Sequence, residues 1–73
     1  MLVFTLMNTR DAGELIKKRR AALGIDQRAL SEIAGISVHT LSNIESGKGN
    51  PTVETLDLVL HALGMELRIQ IKE

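Results

Sequence analysis

Apolar residues recur along this chain with two periods, and the change of period marks where one kind of element gives way to another. Between Ala12 and Leu63 they return every three or four positions, in blocks broken by glycines at 24, 35, 47 and 49. That spacing gives each block one apolar helical face. The first block predicts a helix over residues 9 to about 23, with Ala12, Leu15, Ile16, Ala22 and Leu23 inward. Asn8 or Thr9 offers its N-cap, and Asp11 stands in the first turn, where a carboxylate suits the helix dipole. Gly24 ends it, and Asp26 caps a second helix over residues 27–34 with Ala29, Leu30 and Ile33 as its stripe. Gly35 closes that helix, since glycine takes the left-handed backbone conformation without steric penalty. Ser37 then caps a third helix over residues 38 to about 46, with Leu41 and Ile44 inward. The segment from 46 to 51 holds two glycines and a proline and reads as a loop. Thr52 restarts the chain in a fourth helix whose inward residues are Val53, Leu56, Val59, Leu60 and Leu63, stopped by Gly64.

Strict alternation replaces helical spacing at both ends. Residues 2–6 are β-branched, aromatic and aliphatic, a short strand signal. Residues 65–72 alternate apolar and polar without a break, placing Met65, Leu67, Ile69 and Ile71 on one face of a half-buried strand. A lone strand leaves a row of backbone groups unpaired. Its partner is residues 2–6 of the same chain, the same strand of a second chain, or both. A two-stranded ribbon is marginal by itself. Pairing across a two-fold axis buries the apolar face against the partner, at roughly 1.5–3 kcal/mol for each fully buried large side chain. A homodimer joined by an intersubunit sheet is therefore expected, with Met65, Leu67, Ile69 and Ile71 as its seam.

With 73 residues the chain reads as one domain: a strand or arm over residues 1–8, a helical core over 9–63 and a strand over 64–73. Domains this small bury only about 60% of their unfolded surface, so helix packing or oligomerisation must supply stability. There is no cysteine, hence no disulfide and no thiolate metal site. His39 and His61 have no carboxylate cluster beside them, so neither a metal nor another cofactor is expected. No Cys/His or Ser/His/Asp constellation suggests catalysis. The apolar start is too short for a signal peptide, and no run approaches the roughly 20 residues that span a bilayer, so a cytoplasmic protein without membrane contact is expected.

Net charge is zero, which argues against indiscriminate nucleic-acid binding, but the charge is unevenly spread. Residues 1–50 carry seven basic and five acidic side chains, and residues 51–73 carry two basic and four acidic. The mildly basic part includes residues 27–45, two short helices joined by a tight turn at Gly35, the layout of a DNA-binding helix-turn-helix. Val38, His39, Thr40, Ser42 and Asn43 lie away from the apolar stripe of the second of these helices, with Ser37 at its cap. Such side chains can read base edges in a major groove: an asparagine pairs with adenine, and a valine packs on a thymine methyl. Arg28 and Lys48 are of the type that positions phosphates, and His39 is a further phosphate or base contact.

Five segments in order and spacing resemble one family: Ile16-Lys17-Lys18-Arg19-Arg20, Leu23-Gly24-Ile25-Asp26-Gln27, Leu30-Ser31-Glu32-Ile33-Ala34-Gly35-Ile36-Ser37, Leu41-Ser42-Asn43-Ile44-Glu45-Ser46-Gly47 and Pro51-Thr52-Val53-Glu54-Thr55-Leu56. Together they resemble the Xre/Cro type of helix-turn-helix proteins. The resemblance implies a mainly α, four-helix lambda-repressor-like domain. It also implies that Gln27 touches a DNA phosphate, and that Arg20 and Glu45 pair to fix the angle of the recognition helix. A helical domain followed by an alternating strand is similar to HipB-like antitoxins, DNA-binding partners of HipA-like kinase toxins. The function so implied is a non-enzymatic, homodimeric repressor on a pseudo-palindromic double-stranded operator, acting as antitoxin and autorepressor and associated with the bacterial nucleoid when bound. A stand-alone Xre-type operon or phage regulator without a toxin, or a helical protein-interaction module, are the alternatives.

Overall fold

A computed structural model of the chain describes residues 8–68. Four helices follow in order: α1 (Thr9–Ala22), α2 (Gln27–Ala34), α3 (Val38–Glu45) and α4 (Val53–Ala62). Each begins at a side-chain cap that satisfies a backbone donor otherwise left without a partner. Asn8 accepts from the Asp11 N–H at 2.9 Å and Asp26 from the Ala29 N–H at 2.8 Å. Ser37 accepts from the Thr40 N–H and Thr52 from the Thr55 N–H, both at 3.0 Å. Gly35 ends α2 with φ at 76°, a left-handed conformation that turns the chain into α3 within three residues.

The core lies where the four helices meet. Ile16, Leu30, Leu41, Val59, Leu60 and Leu63 are fully buried, joined by Ala34, Ile44 and Met65. α1 packs on α3, while α2 packs on both α3 and α4. α1 approaches α3 closely at Gly13, where a β-carbon would run into the Ile44 carbonyl oxygen. Glycine costs helix stability at an interior position. Here it lets the two backbones touch. At the far end of α1, Arg19 Nε donates to the Leu63 carbonyl at 3.1 Å and ties that helix to the end of α4.

Four inward assignments from periodicity change. Ile33 is 64% exposed, and α2 instead turns Leu30, Ser31 and Ala34 inward. Spacings of three and four both fit a helix, and the neighbours on either side of α2 select the second. The buried Ser31 hydroxyl is satisfied by donating to the Arg28 carbonyl at 2.8 Å. Val53 is 60% exposed because it opens α4, ahead of the turns at Leu56, Val59 and Leu60 that meet the other helices. Ala22 and Leu23 are exposed at the end of α1, where that helix has run past the core.

Beyond Gly64 the chain returns toward the bundle. The Met65 N–H donates to the Leu60 carbonyl at 2.8 Å, and the Met65 side chain is buried in this chain's own core. Leu67 packs half-buried against the same cluster. No strand occurs among the described residues. The strand expected over residues 2–6, and the seam positions Ile69 and Ile71, lie outside them.

Candidate nucleic-acid interface

α3 has one face locked and one face free. Leu41, Ile44 and Glu45 are buried, whereas Val38, His39 and Ser42 are exposed and Thr40 and Asn43 are half-buried. Five of the predicted base-reading residues thus share an arc of one short helix. Ser37, at its cap, is exposed, and its hydroxyl donates to Thr40 Oγ1 at 2.9 Å. That bond leaves the Thr40 hydroxyl hydrogen to point elsewhere. His39 Nε2 and Asn43 Nδ2 lie 3.4 Å apart, one turn along the helix. Lys48 follows directly: its backbone N–H donates to the Asn43 carbonyl at 2.9 Å, so the loop is fastened to the end of α3. Thr40, Asn43, Lys48, Gly49, Asn50 and Pro51 line a shallow concavity of about 190 Å³ beside the helix.

The locked face ends in an ion pair. Arg20 Nε donates to Glu45 Oε2 at 2.7 Å and Arg20 Nη2 to Glu45 Oε1 at 3.0 Å, a two-point match of planar groups. The Glu45 side chain is only 3% exposed and that of Arg20 14%. A buried carboxylate needs its oxygens satisfied. Gln27 Nε2 adds a third donor, 3.1 Å from Glu45 Oε1. Arg20 also donates to the Ile25 carbonyl at 2.9 Å, holding the turn between α1 and α2. The hydrogen bond to Glu45 holds the Arg20 guanidinium above the ordinary arginine pKa. Burial opposes that shift, and the charges of Glu45 and Asp26 reinforce it. One carboxylate thereby joins α1, the start of α2 and the end of α3.

Gln27 is therefore bound inward through one amide hydrogen, and an amide carries two. Arg28, next to it, is exposed at the start of α2. The glycine contact at Gly13 and the tie from Lys48 to Asn43 were not foreseen from sequence. A glycine inside an otherwise helical pattern was the available signal for the first. No cluster of metal-donating side chains occurs among the described residues, and no helix there is long and apolar enough to cross a membrane.

A bundle in which a short capped helix presents a polar arc after a tight glycine turn defines a helix-turn-helix domain. Residues 16–70 match the family model described as "Helix-turn-helix", and the chain belongs to that family, among Xre/Cro-like transcriptional regulators. It is accordingly a DNA-binding domain of the transcriptional-regulator type. A Haemophilus influenzae protein described as an uncharacterized HTH-type transcriptional regulator is 41% identical over 56 residues, 77% of this chain. The chain spans 56% of that relative's length. The clp gene regulator ClgR from C. glutamicum superposes with a TM-score of 0.73 at 33% identity, over 86% of this chain and 82% of that one. The restriction-modification controller protein C.AhdI from Aeromonas hydrophila shares the fold, with a TM-score of 0.75 at 22% identity over 80% and 88% of the two chains.

Proposed function

We propose that the protein is a homodimeric repressor that inserts α3 into the major groove of a specific double-stranded operator. The observation that carries this reading is the division of α3. Its inner face is fixed by Leu41, Ile44 and the Glu45–Arg20 pair, while Val38, His39, Thr40, Ser42 and Asn43 share the other side. A reader of bases must be rigidly presented, since a bidentate contact fails with small displacements. Gln27, Arg28, Ser37 and Lys48 flank that arc and serve as phosphate contacts that set register. Two copies related by a two-fold axis bind a pseudo-palindrome whose half-site centres lie about 34–36 Å apart, or a multiple of that. Binding-site selection on random duplex DNA, coupled to mass measurement of the complex, tests this. A single asymmetric half-site as the full-affinity target, or no salt-dependent binding at all, overturns it; the second result favours a helical protein-interaction module.

Within that reading, the chain is the antitoxin and autorepressor of a HipA/HipB-like operon. Support comes from the alternating segment that follows the helical domain, and from the acidic residues Glu54, Asp57 and Glu66 on the exposed side of α4 and beyond. They offer an exposed acidic surface for a toxin kinase. A stand-alone regulator is the second reading, favoured by the likeness to the clp gene regulator. An adjacent kinase-like reading frame, and co-purification of its product with this chain, separate the two.

A further inference from the structure

Asn43 ends the polar arc of α3, and its backbone is held twice. Its carbonyl accepts from the Lys48 N–H at 2.9 Å and from the Ser46 hydroxyl at 3.1 Å. The freedom left to it lies in the side chain. A half-turn of a carboxamide exchanges its oxygen and nitrogen, and with them the order of acceptor and donor. Among the described residues, His39 is the side chain within hydrogen-bond reach of that amide, with Nε2 3.4 Å from Nδ2. An amide nitrogen only donates, so this contact needs Nε2 to accept and puts the imidazole hydrogen on Nδ1. In the turned amide Oδ1 would face the Nε2 lone pair, acceptor against acceptor. At 3.4 Å the bond is weak, yet it distinguishes two orientations that are otherwise alike.

We propose that His39 is a positioning residue that sets the Asn43 carboxamide for a two-point contact with adenine. The inference rests on the reading of α3 as the base-reading helix and says how one of its readers becomes specific. In the major groove adenine offers the N6 donor beside the N7 acceptor, which Oδ1 and one Nδ2 hydrogen match together. That contact uses the edge of the amide where oxygen and hydrogen stand side by side. The second hydrogen points from the opposite edge, and His39 takes it. The turned amide would set donor against donor and acceptor against acceptor, and adenine would be refused. His39 is exposed and Asn43 half-buried, one helical turn apart, the spacing at which side chains on a helix meet.

Two measurements on the full chain test this, and the first needs no DNA. In mildly alkaline buffer, where imidazole is neutral, the nitrogen shifts of His39 report which ring nitrogen carries the hydrogen. The share on Nδ1 should be larger in the parent than in Asn43→Ala. An unchanged share overturns the inference and leaves the base-reading helix standing. The second uses the duplex recovered by binding-site selection, with each adenine in turn carrying carbon in place of N7. At the adenine whose change Asn43→Ala no longer senses, the parent should lose about 3–10-fold in affinity. His39→Phe keeps a ring but has no acceptor, and should lose that response. His39→Gln, whose side-chain oxygen can accept from an asparagine one turn on, should restore it. A His39→Phe variant that still senses the change overturns the inference. So does one that weakens all duplexes alike and flattens the salt dependence, which would make His39 a phosphate contact. A parent without salt-dependent binding overturns both readings, and is told apart because the ring hydrogen is located without DNA.

Discussion

Gln27 donates to the same Glu45 oxygen that receives Arg20 Nη2, at 3.1 and 3.0 Å. The residue that opens α2 is thus fastened to the residue that closes α3. Because α3 carries the proposed base readers and Gln27 a proposed phosphate contact, one carboxylate sets the distance between the two.

Removing that carboxylate should be costly. Glu45→Ala strands the Arg20 guanidinium with little solvent around it, and breaking one side of a buried pair typically costs about 3–5 kcal/mol. Replacing both partners together, Arg20→Met with Glu45→Met, should restore much of the stability, since apolar residues of similar volume need no partner. Thermal melts decide it: the double variant is expected to melt above Glu45→Ala. Its operator affinity should nonetheless stay below that of the parent, because Gln27 has lost its anchor. A double variant with parental affinity would show that the pair does not position the interface. Raising the pH should leave the pair intact across the working range, because the raised pKa of Arg20 means its share of stability is lost only above the ordinary arginine value.

Asn43 and Lys48 are joined through the backbone but should fail differently. Asn43→Ala should cost about 1–3 kcal/mol at the cognate site and leave nonspecific affinity nearly intact, as expected of a base reader. Lys48→Ala should weaken all sequences alike and flatten the dependence of affinity on salt. Isotherms at two salt concentrations measure both. Equal loss of specific and nonspecific binding in Asn43→Ala removes it from the base readers.

Gly13→Ala places a methyl group against the Ile44 carbonyl and forces α1 away from α3. Alanine favours helix by about 1 kcal/mol over glycine, so propensity alone predicts a more stable protein. Backbone has little room to yield, and overpacking costs of about 1–3 kcal/mol outweigh that gain. A lowered Tm is expected. A raised one would mean that the two helices can separate without loss.

The four helices and their caps are legible in the sequence because capping is a local interaction. Asn8, Asp26, Ser37 and Thr52 each bond to a backbone group three residues on, so each lies inside one short window. Burial is a property of what surrounds a helix, and there local reading fails. Ile33 is apolar at a permitted spacing, yet the neighbouring helices bury Ser31 instead. Among the described residues, Ile33 stays largely in water on the outer side of α2. The links among Gly13, Ile44, Gln27 and Glu45 join positions 18 or more residues apart, and spacing carries no record of them. Family resemblance supplied the Arg20–Glu45 pairing, whereas the third member, Gln27, emerged only from geometry.

Ile69 and Arg68 separate two ways of holding a dimer together. A strand over residues 64–73, as alternation predicts, would put Ile69 with Leu67 on its apolar side and Arg68 on its polar side; Arg68 is exposed, and its guanidinium meets Glu66 at 3.0 Å. Such surface pairs contribute about 0–1 kcal/mol, so Arg68→Glu should cost little. Ile69→Lys is a different case if the apolar side is the seam. Two copies of the new charge then enter one interface across the axis, and desolvation and repulsion act together. The dimer should dissociate, and operator affinity should fall with it because one half-site offers too few contacts. Met65 is already occupied by this chain's own core, so the burden of the seam would rest on Leu67, Ile69 and Ile71. Sedimentation of both variants reads the outcome directly. A stable Ile69→Lys dimer would place the subunit contact elsewhere, most simply on the exposed side of α4, where Val53 and Leu58 stand in solvent.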